Sequence, residues 1–252
     1  MPRTISRPLI GITLDWQEKG TFSRLPHYAL REHYFACIHA AGGLPVAIPH
    51  NAKAIPDYLS LVDGLLVPGG DFGLLAKWYI DPNEPKPYAA SPRLEFDMAV
   101  IKGALAREIP LLTVCAGMQI MGGMMGCKLT ANINNYCNTS IEHHQEARRG
   151  EYVHPVNLVP GTQLKKIVRA GESFGVNTCH REAIVQVPKN GKVVVNAVAP
   201  DGIIEGIELP DYKFALGLQW HPEFFYEDDN PHLRIFKALV KEAKGRGNRL
   251  IS

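Results

Sequence analysis

In the first half of the chain, short apolar runs alternate with stretches whose apolar residues recur at helical spacing. Residues 8–14, 44–49 and 62–67 read as three strands. Between the first two, residues 28–41 place Tyr34, Ile38 and Ala41 on one helical face and stop at Gly42-Gly43, a helix-ending signal. Ser91-Pro92 opens a longer helix that runs to about Arg107, with proline in its first turn. Strand, helix, strand, helix with short links leaves few folds open. The order predicts an α/β protein of three layers, with a mostly parallel central sheet covered on both faces. Such sheets bind ligands at the carboxyl ends of their strands. The Pro68-Gly69-Gly70 turn closes the third strand and so belongs on that rim.

A fourth strand, residues 109–114, runs directly into Cys115. The next residues, from Ala116 through Met121, read as the start of a helix. A residue on a sharp strand-to-helix turn projects from the backbone with a helix N-terminus behind it. Ala116 and Gly117 are small enough for strand and helix to approach closely there. The positive end of the helix dipole favours an anion, and the anionic sulfur is the reactive form of cysteine. A buried structural cysteine would also fit this local sequence.

The second half changes character. Residues 153–159 alternate as a strand and turn at Pro160-Gly161. Residues 183–187 and 192–198, joined by Pro188-Lys189-Asn190-Gly191, read as a hairpin. Residues 203–208 and 214–220 read as two more strands, and 233–244 as a closing helix with a basic end. The expectation is one domain over 1–252, with antiparallel strands added to the parallel sheet. Residues 72–90, rich in Pro, Tyr and Trp, read as a long loop near the rim, of the kind that forms lids or binding surfaces.

Bulk properties exclude several roles. A net charge of +2 gives no sign of a nucleic-acid or membrane-surface partner, and Arg148-Arg149 reads as solvated surface. The first eight residues hold no apolar core of a secretory signal, and no apolar run is long enough to span a bilayer. Five cysteines at Cys37, Cys115, Cys127, Cys137 and Cys179 do not form a disulfide framework, which suggests a reducing, cytoplasmic setting. His143-His144, with Glu142 and Glu146 nearby, reads as surface loop: neighbouring histidines on a strand point to opposite faces, and no second cluster has zinc-like spacing. No metal or cofactor is expected. Gly122, Gly123 and Gly126 form no phosphate loop and instead suit close packing. Cys127, Cys137 and Cys179 read as inert, although Cys179 could lie near a pocket.

Cysteine hydrolysis of an amide needs a thiolate, a base, a group that orients the base, and donors for the developing oxyanion. His221 ends a predicted strand, as Cys115 does, and Glu223 follows two residues on across Pro222. A carboxylate there can bond one ring nitrogen and leave the other for the thiol.

Four stretches together resemble the class I glutamine amidotransferase-like hydrolases, whose fold is flavodoxin-like. They are Val67-Pro68-Gly69-Gly70-Asp71, Val114-Cys115-Ala116-Gly117-Met118-Gln119, Val176-Asn177-Thr178-Cys179-His180 and Gln219-Trp220-His221-Pro222-Glu223-Phe224, in family order. The resemblance runs from Pro8 to about Glu227 and is closest to the γ-glutamyl-γ-aminobutyrate hydrolase group, peptidase family C26. Within that group the chain also shares Gly42-Gly43-Leu44-Pro45 and Arg93.

The resemblance implies Cys115 as nucleophile, His221 as base and Glu223 as its orienter. It implies an oxyanion hole from the N–H groups of Gly70 and Ala116, and substrate contacts from Gln119, Asn177 and His180. It implies a small γ-glutamyl substrate, cleaved through a γ-glutamyl thioester to glutamate and an amine such as γ-aminobutyrate from polyamine breakdown. No nucleic acid or membrane is involved, a homodimer is compatible, and no acceptor domain is expected. Two other roles suit the same residues: a glutaminase subunit of a two-component amidotransferase, and a non-catalytic binding protein. A complete Cys, His and Glu set speaks against the last. Four positions depart from the family pattern: Thr113 stands where glycine is usual, Leu94 where an aspartate follows Arg93, and Arg181-Glu182 where His-Gln follows His180. The Glu182 carboxylate would change the pocket's charge, and Arg181 suits either an acidic group on the leaving amine or, the reading slightly ahead, plain solvated surface.

Overall fold

The computed structural model describes residues 7–86, 88–147 and 149–247. The expectations for residues 1–6 and for Arg148 lie outside them. In chain order the elements are β1 (Leu9–Thr13), β2 (Asp15–Gln17), β3 (His27–Ala29), α1 (Glu32–Ala40), β4 (Leu44–Ile48), α2 (Ile55–Leu61), β5 (Gly64–Val67), α3 (Arg93–Ala106), β6 (Leu111–Val114) and α4 (Ala116–Met124). There follow β7 (Lys128–Thr130), α5 (Ile133–Tyr136), β8 (His154–Leu158), α6 (Gln163–Val168), β9 (Ser173–Val176), β10 (Ala183–Gln186), β11 (Val194–Val198), β12 (Ile204–Glu208), β13 (Ala215–Leu218) and α7 (Pro231–Gly247).

A nine-stranded sheet has the order β4-β1-β5-β6-β13-β12-β11-β8-β9. Its first five strands are paired in parallel, and the other four join antiparallel. Side-chain alternation along the strands divides the core in two. Leu65, Val67 and Leu111 face Val100, Ile101 and Met118 of α3 and α4. Leu66, Leu112 and Val114 face Ile38 of α1 and Ile235 and Phe236 of α7. The result is an α/β fold with helices on both faces of one sheet. None of the described helices is long and apolar enough to cross a membrane.

Two expectations fail for physical reasons. Helix α1 begins at Glu32; Tyr28, expected in it, lies in β3 and pairs with Trp16 of β2. The two rings meet edge to face with centroids 5.5 Å apart, a cross-strand aromatic pair that stabilises the small hairpin. Residues 183–187 and 192–198 do not pair with each other. β10 instead pairs with β7, and β11 lies between β12 and β8. Ile184 packs where a side chain on Gly122 would stand, 2.4 Å from its Cδ1, so β10 is drawn onto α4 and away from β11. The link over 188–191 joins two sheets, which turn residues alone do not reveal.

The described residues of 72–90 are largely loop, as expected, and among them a turn of 3-10 helix lies at Ala76–Trp78. Trp78 and Tyr79 are buried, and Ile80 N–H donates to Leu129 O at 2.8 Å.

Candidate active site

β6 ends at Val114 and α4 starts at Ala116, so Cys115 alone makes the turn. Its φ of 50° and ψ of −111° are rarely adopted outside glycine. Such a conformation costs about 1–3 kcal/mol and persists only where the surroundings fix it. Here the Cys115 N–H donates to Leu218 O at 2.7 Å, and its carbonyl accepts the Gln119 N–H at 3.1 Å. A Cβ on Gly117 would lie 2.4 Å from the Val67 carbonyl oxygen, so the close approach of helix and strand admits no side chain. Thr113, in place of the usual glycine, donates its hydroxyl to Leu216 O at 3.2 Å, and Gly217 beside it leaves the room.

His221 and Glu223 follow β13, the neighbour of β6, so both arrive at the same rim. His221 Nδ1 lies 2.8 Å from Glu223 Oε1, and both side chains are buried. Burial alone would lower the imidazole's pKa. The Glu223 charge and Cys115 act against it and push it up to about 10. Burial raises Glu223, but the facing imidazole outweighs this and holds the carboxyl below its ordinary range. A Cβ built on Gly69 would touch His221 Cε1 at 2.8 Å and Cys115 Cβ at 3.2 Å. Thiol and imidazole therefore converge on one point over a glycine, although 106 positions separate them in sequence.

The Gly69-Gly70 turn is held from behind. Tyr34 Oη accepts the Gly69 N–H at 3.1 Å. Arg93, wholly buried, donates to Gly69 O at 2.8 Å and to Pro68 O at 2.5 Å. Its guanidinium pairs with Asp97 at 2.8 Å and Asp15 at 3.3 Å. Leu94 leaves no carboxylate next to Arg93; Asp97, one helical turn on, supplies it. With the carbonyls of 68 and 69 fixed, the Gly70 peptide is fixed too. As the first helical residue, Ala116 has an N–H without an intrahelical acceptor.

Cys115 opens onto a narrow cleft lined also by Gly70, Phe72, Tyr88, Gln119, Cys179, His180 and Glu182. The long loop thus contributes Phe72 and Tyr88. Gln119 Nε2 donates to Glu182 O at 2.9 Å and to Gln219 Oε1 at 3.1 Å, and Gln219 Nε2 reaches Cys115 Sγ at 3.6 Å. Burial pushes Glu182 up to about 7, against the Tyr79 hydroxyl that donates to it at 2.7 Å. Arg181 is exposed, as expected, yet stands at the mouth of the cleft. Burial pushes the Cys179 thiol up to about 11 and Cys127 up to about 12, so both stay protonated at neutral pH.

Asn177, expected at the substrate, lies behind His221 instead. Its Oδ1 accepts the His221 N–H and its Nδ2 donates to the His221 carbonyl, each at 2.9 Å. His180 lines the cleft, but its ring is committed elsewhere, to Glu182 O and toward Glu205. His143 is buried and not surface loop, with Nε2 2.8 Å from Asp201. Sequence reasoning gave no role to Tyr34, Asp97 or Gln219. Gln219, next to a strand end and two residues before His221, carried the one signal that could have found it.

An elbow cysteine beside a carboxylate-bound imidazole, at the carboxyl rim of such a sheet, defines a class: the glutamine amidotransferase-like hydrolases. A solved structure of the glutaminase domain of a Trypanosoma brucei CTPS, with bound acivicin, shares the fold with a TM-score of 0.58 over 93% of this chain and 94% of that one, at 17% identity. The chain belongs to the peptidase C26 family, whose model matches residues 8–223. It is 32% identical to a Rickettsia prowazekii protein designated glutamine amidotransferase-like, over 94% of this chain and 98% of that protein. It is 30% identical to the γ-glutamyl-γ-aminobutyrate hydrolase of Escherichia coli, over 89% of each chain.

Proposed function

We infer that this protein hydrolyses γ-glutamyl amides of small amines, with γ-glutamyl-γ-aminobutyrate the leading candidate, through a thioester on Cys115. The observation that carries this is the convergence of Cys115 with an imidazole whose far nitrogen is occupied by Glu223. The Cys115 thiolate attacks the side-chain carbonyl carbon. The N–H groups of Gly70 and Ala116 hold the oxyanion; each such donor is worth about 10²–10³ in rate. The C–N bond breaks, and His221, protonated at neutral pH, gives its proton to the departing amine. Water then loses a proton to His221 and attacks the thioester, releasing glutamate and restoring the thiolate. Gln119 and Glu182 face the glutamyl group, and Arg181 at the mouth suits a carboxylate on the amine. Five unpaired thiols fit a cytoplasmic setting.

The test incubates the pure chain with glutamine and a panel of γ-glutamyl amines and measures glutamate release. The expected result is turnover without a partner, faster on substituted amides than on glutamine, and abolished in Cys115→Ala. Activity that survives Cys115→Ala would overturn the mechanism. Activity on glutamine alone, and only with an added synthase, would reassign the chain as a glutaminase subunit.

A further inference from the structure

A row of buried amides ends on the reactive sulfur. Gln219 directly follows β13 and is wholly buried; Gln119, in the first turn of α4, is nearly so. In each side chain the oxygen and nitrogen could trade places, and the neighbours decide which points where. The Glu182 carbonyl can only accept. It lies 2.9 Å from Gln119, so Gln119 Nε2 faces it. The same nitrogen donates to Gln219 at 3.1 Å, and Gln219 must therefore offer Oε1. With Oε1 so placed, Gln219 Nε2 has one direction left, toward Cys115 Sγ at 3.6 Å. That separation is long for an oxygen acceptor but ordinary for the larger sulfur atom.

The direction of this row decides which form of the sulfur it favours. Turned over, Gln219 would present an oxygen, which suits a protonated thiol. As built it presents an N–H, which suits the thiolate. The backbone holds it in place, since the Gln219 N–H donates to Glu205 O at 2.8 Å. Other titratable and charged groups surround the sulfur: His221 after β13, Cys179, Arg181 and Glu182 before β10, and Asp71 and Tyr88 in the long loop. A substitution at Gln219 changes the chemistry of none of them.

We propose that Gln219 is a catalytic residue whose side-chain N–H donates to the Cys115 sulfur and holds it as the thiolate. This deepens the reading of Cys115 as the nucleophile and rests on it. His221 supplies the charged partner; Gln219 supplies a neutral donor that keeps its proton throughout. In the first half-reaction the sulfur's electron pair forms the C–S bond. In the second that bond breaks with the pair returning to sulfur, and the same N–H receives the charge. Toward the sulfur, Gln119 is a positioning residue that acts through Gln219.

The experiment compares the full chain with Gln219→Met, which keeps the length of the side chain and loses the N–H. Alkylation of Cys115 by iodoacetamide is followed from pH 5 to 10 by mass spectrometry of its peptide, with no substrate present. A hydrogen bond to an ion is among the stronger ones, while a less stabilised thiolate is somewhat more nucleophilic. Gln219→Met should therefore react about 3–10-fold more slowly at pH 5 and at least as fast as wild type at pH 10. Equal rates at every pH, in a variant folded by circular dichroism, would overturn the proposal. So would a faster reaction at pH 5, which would mean that Gln219 offers its oxygen, or a deficit of the same size at every pH, which would mean a reshaped cleft only. If Gln219→Met does not fold, Gln119→Met decides: it frees the Gln219 amide to turn and should slow alkylation at pH 5 with recovery at pH 10, and a profile like that of wild type would overturn the proposal. The two readings fail separately. A wild-type chain that releases no glutamate from γ-glutamyl amides yet shows this alkylation pattern would lose its substrate and keep Gln219; turnover with no difference in alkylation would do the reverse.

Discussion

Asn177→Ala separates a residue that positions the base from one that touches substrate. The wild-type amide clamps the His221 backbone by two bonds of 2.9 Å and also donates to Arg149 O. Truncation leaves the buried N–H and C=O of His221 without partners. Each unpaired group costs about 1–3 kcal/mol, so the loss of stability is roughly 2–6 kcal/mol, smaller where water enters the vacated space. The catalytic effect comes from displacement of the ring. A shift of about 1 Å in a catalytic group lowers rate by about 10²-fold. The expected signature on a γ-glutamyl amide is therefore a kcat reduced about 100-fold with KM changed little, because a lost transition-state interaction acts on kcat. Chemical denaturation supplies the stability arm. A KM raised more than about tenfold with kcat intact would mean that the amide binds substrate, and the reasoning would be wrong.

Glu223→Gln should lower kcat by about 10³–10⁴-fold while the fold survives, read by steady-state kinetics and circular dichroism. Arg181→Ala should raise KM about 2–5-fold for an amine bearing a carboxylate and leave KM unchanged for an uncharged amine. Gly117→Ala should destabilise the chain by about 1–3 kcal/mol in urea melts, since its methyl meets the Val67 backbone. His232 is buried among aromatic rings, and burial lowers its pKa from 6.5 to about 4. The unfolded chain then takes up a proton that the native chain refuses, so stability is full above 6.5 and falls as pH drops toward 4. The loss is on the order of 2–3 kcal/mol, and His232→Phe should abolish it in denaturation curves measured from pH 7 to 4.

What was legible in the sequence was what neighbours in sequence determine. Cys115 announced itself because a strand, one residue and a helix are contiguous. His221 and Glu223 did so because two positions and a proline fix their relation. The parallel half of the sheet followed from alternation of strand and helix. Contacts made across the fold left no local trace. Tyr28 leaves the helical pattern because Trp16 holds it, and β10 abandons β11 because α4 offers Gly122. His143 looked like loop because its partners, Asp201 and Glu205, lie about sixty residues away. Asn177 was found through its surrounding stretch, but its task depends on where the His221 backbone comes to rest.

The grip of Arg93 on the Pro68 and Gly69 carbonyls has a consequence for how self-sufficient this protein is. Turning that peptide over would mean tearing a buried charged group from two carbonyl oxygens and two aspartates. Under the proposed mechanism, the cradle for the negatively charged intermediate is expected to stand in place without a docking protein.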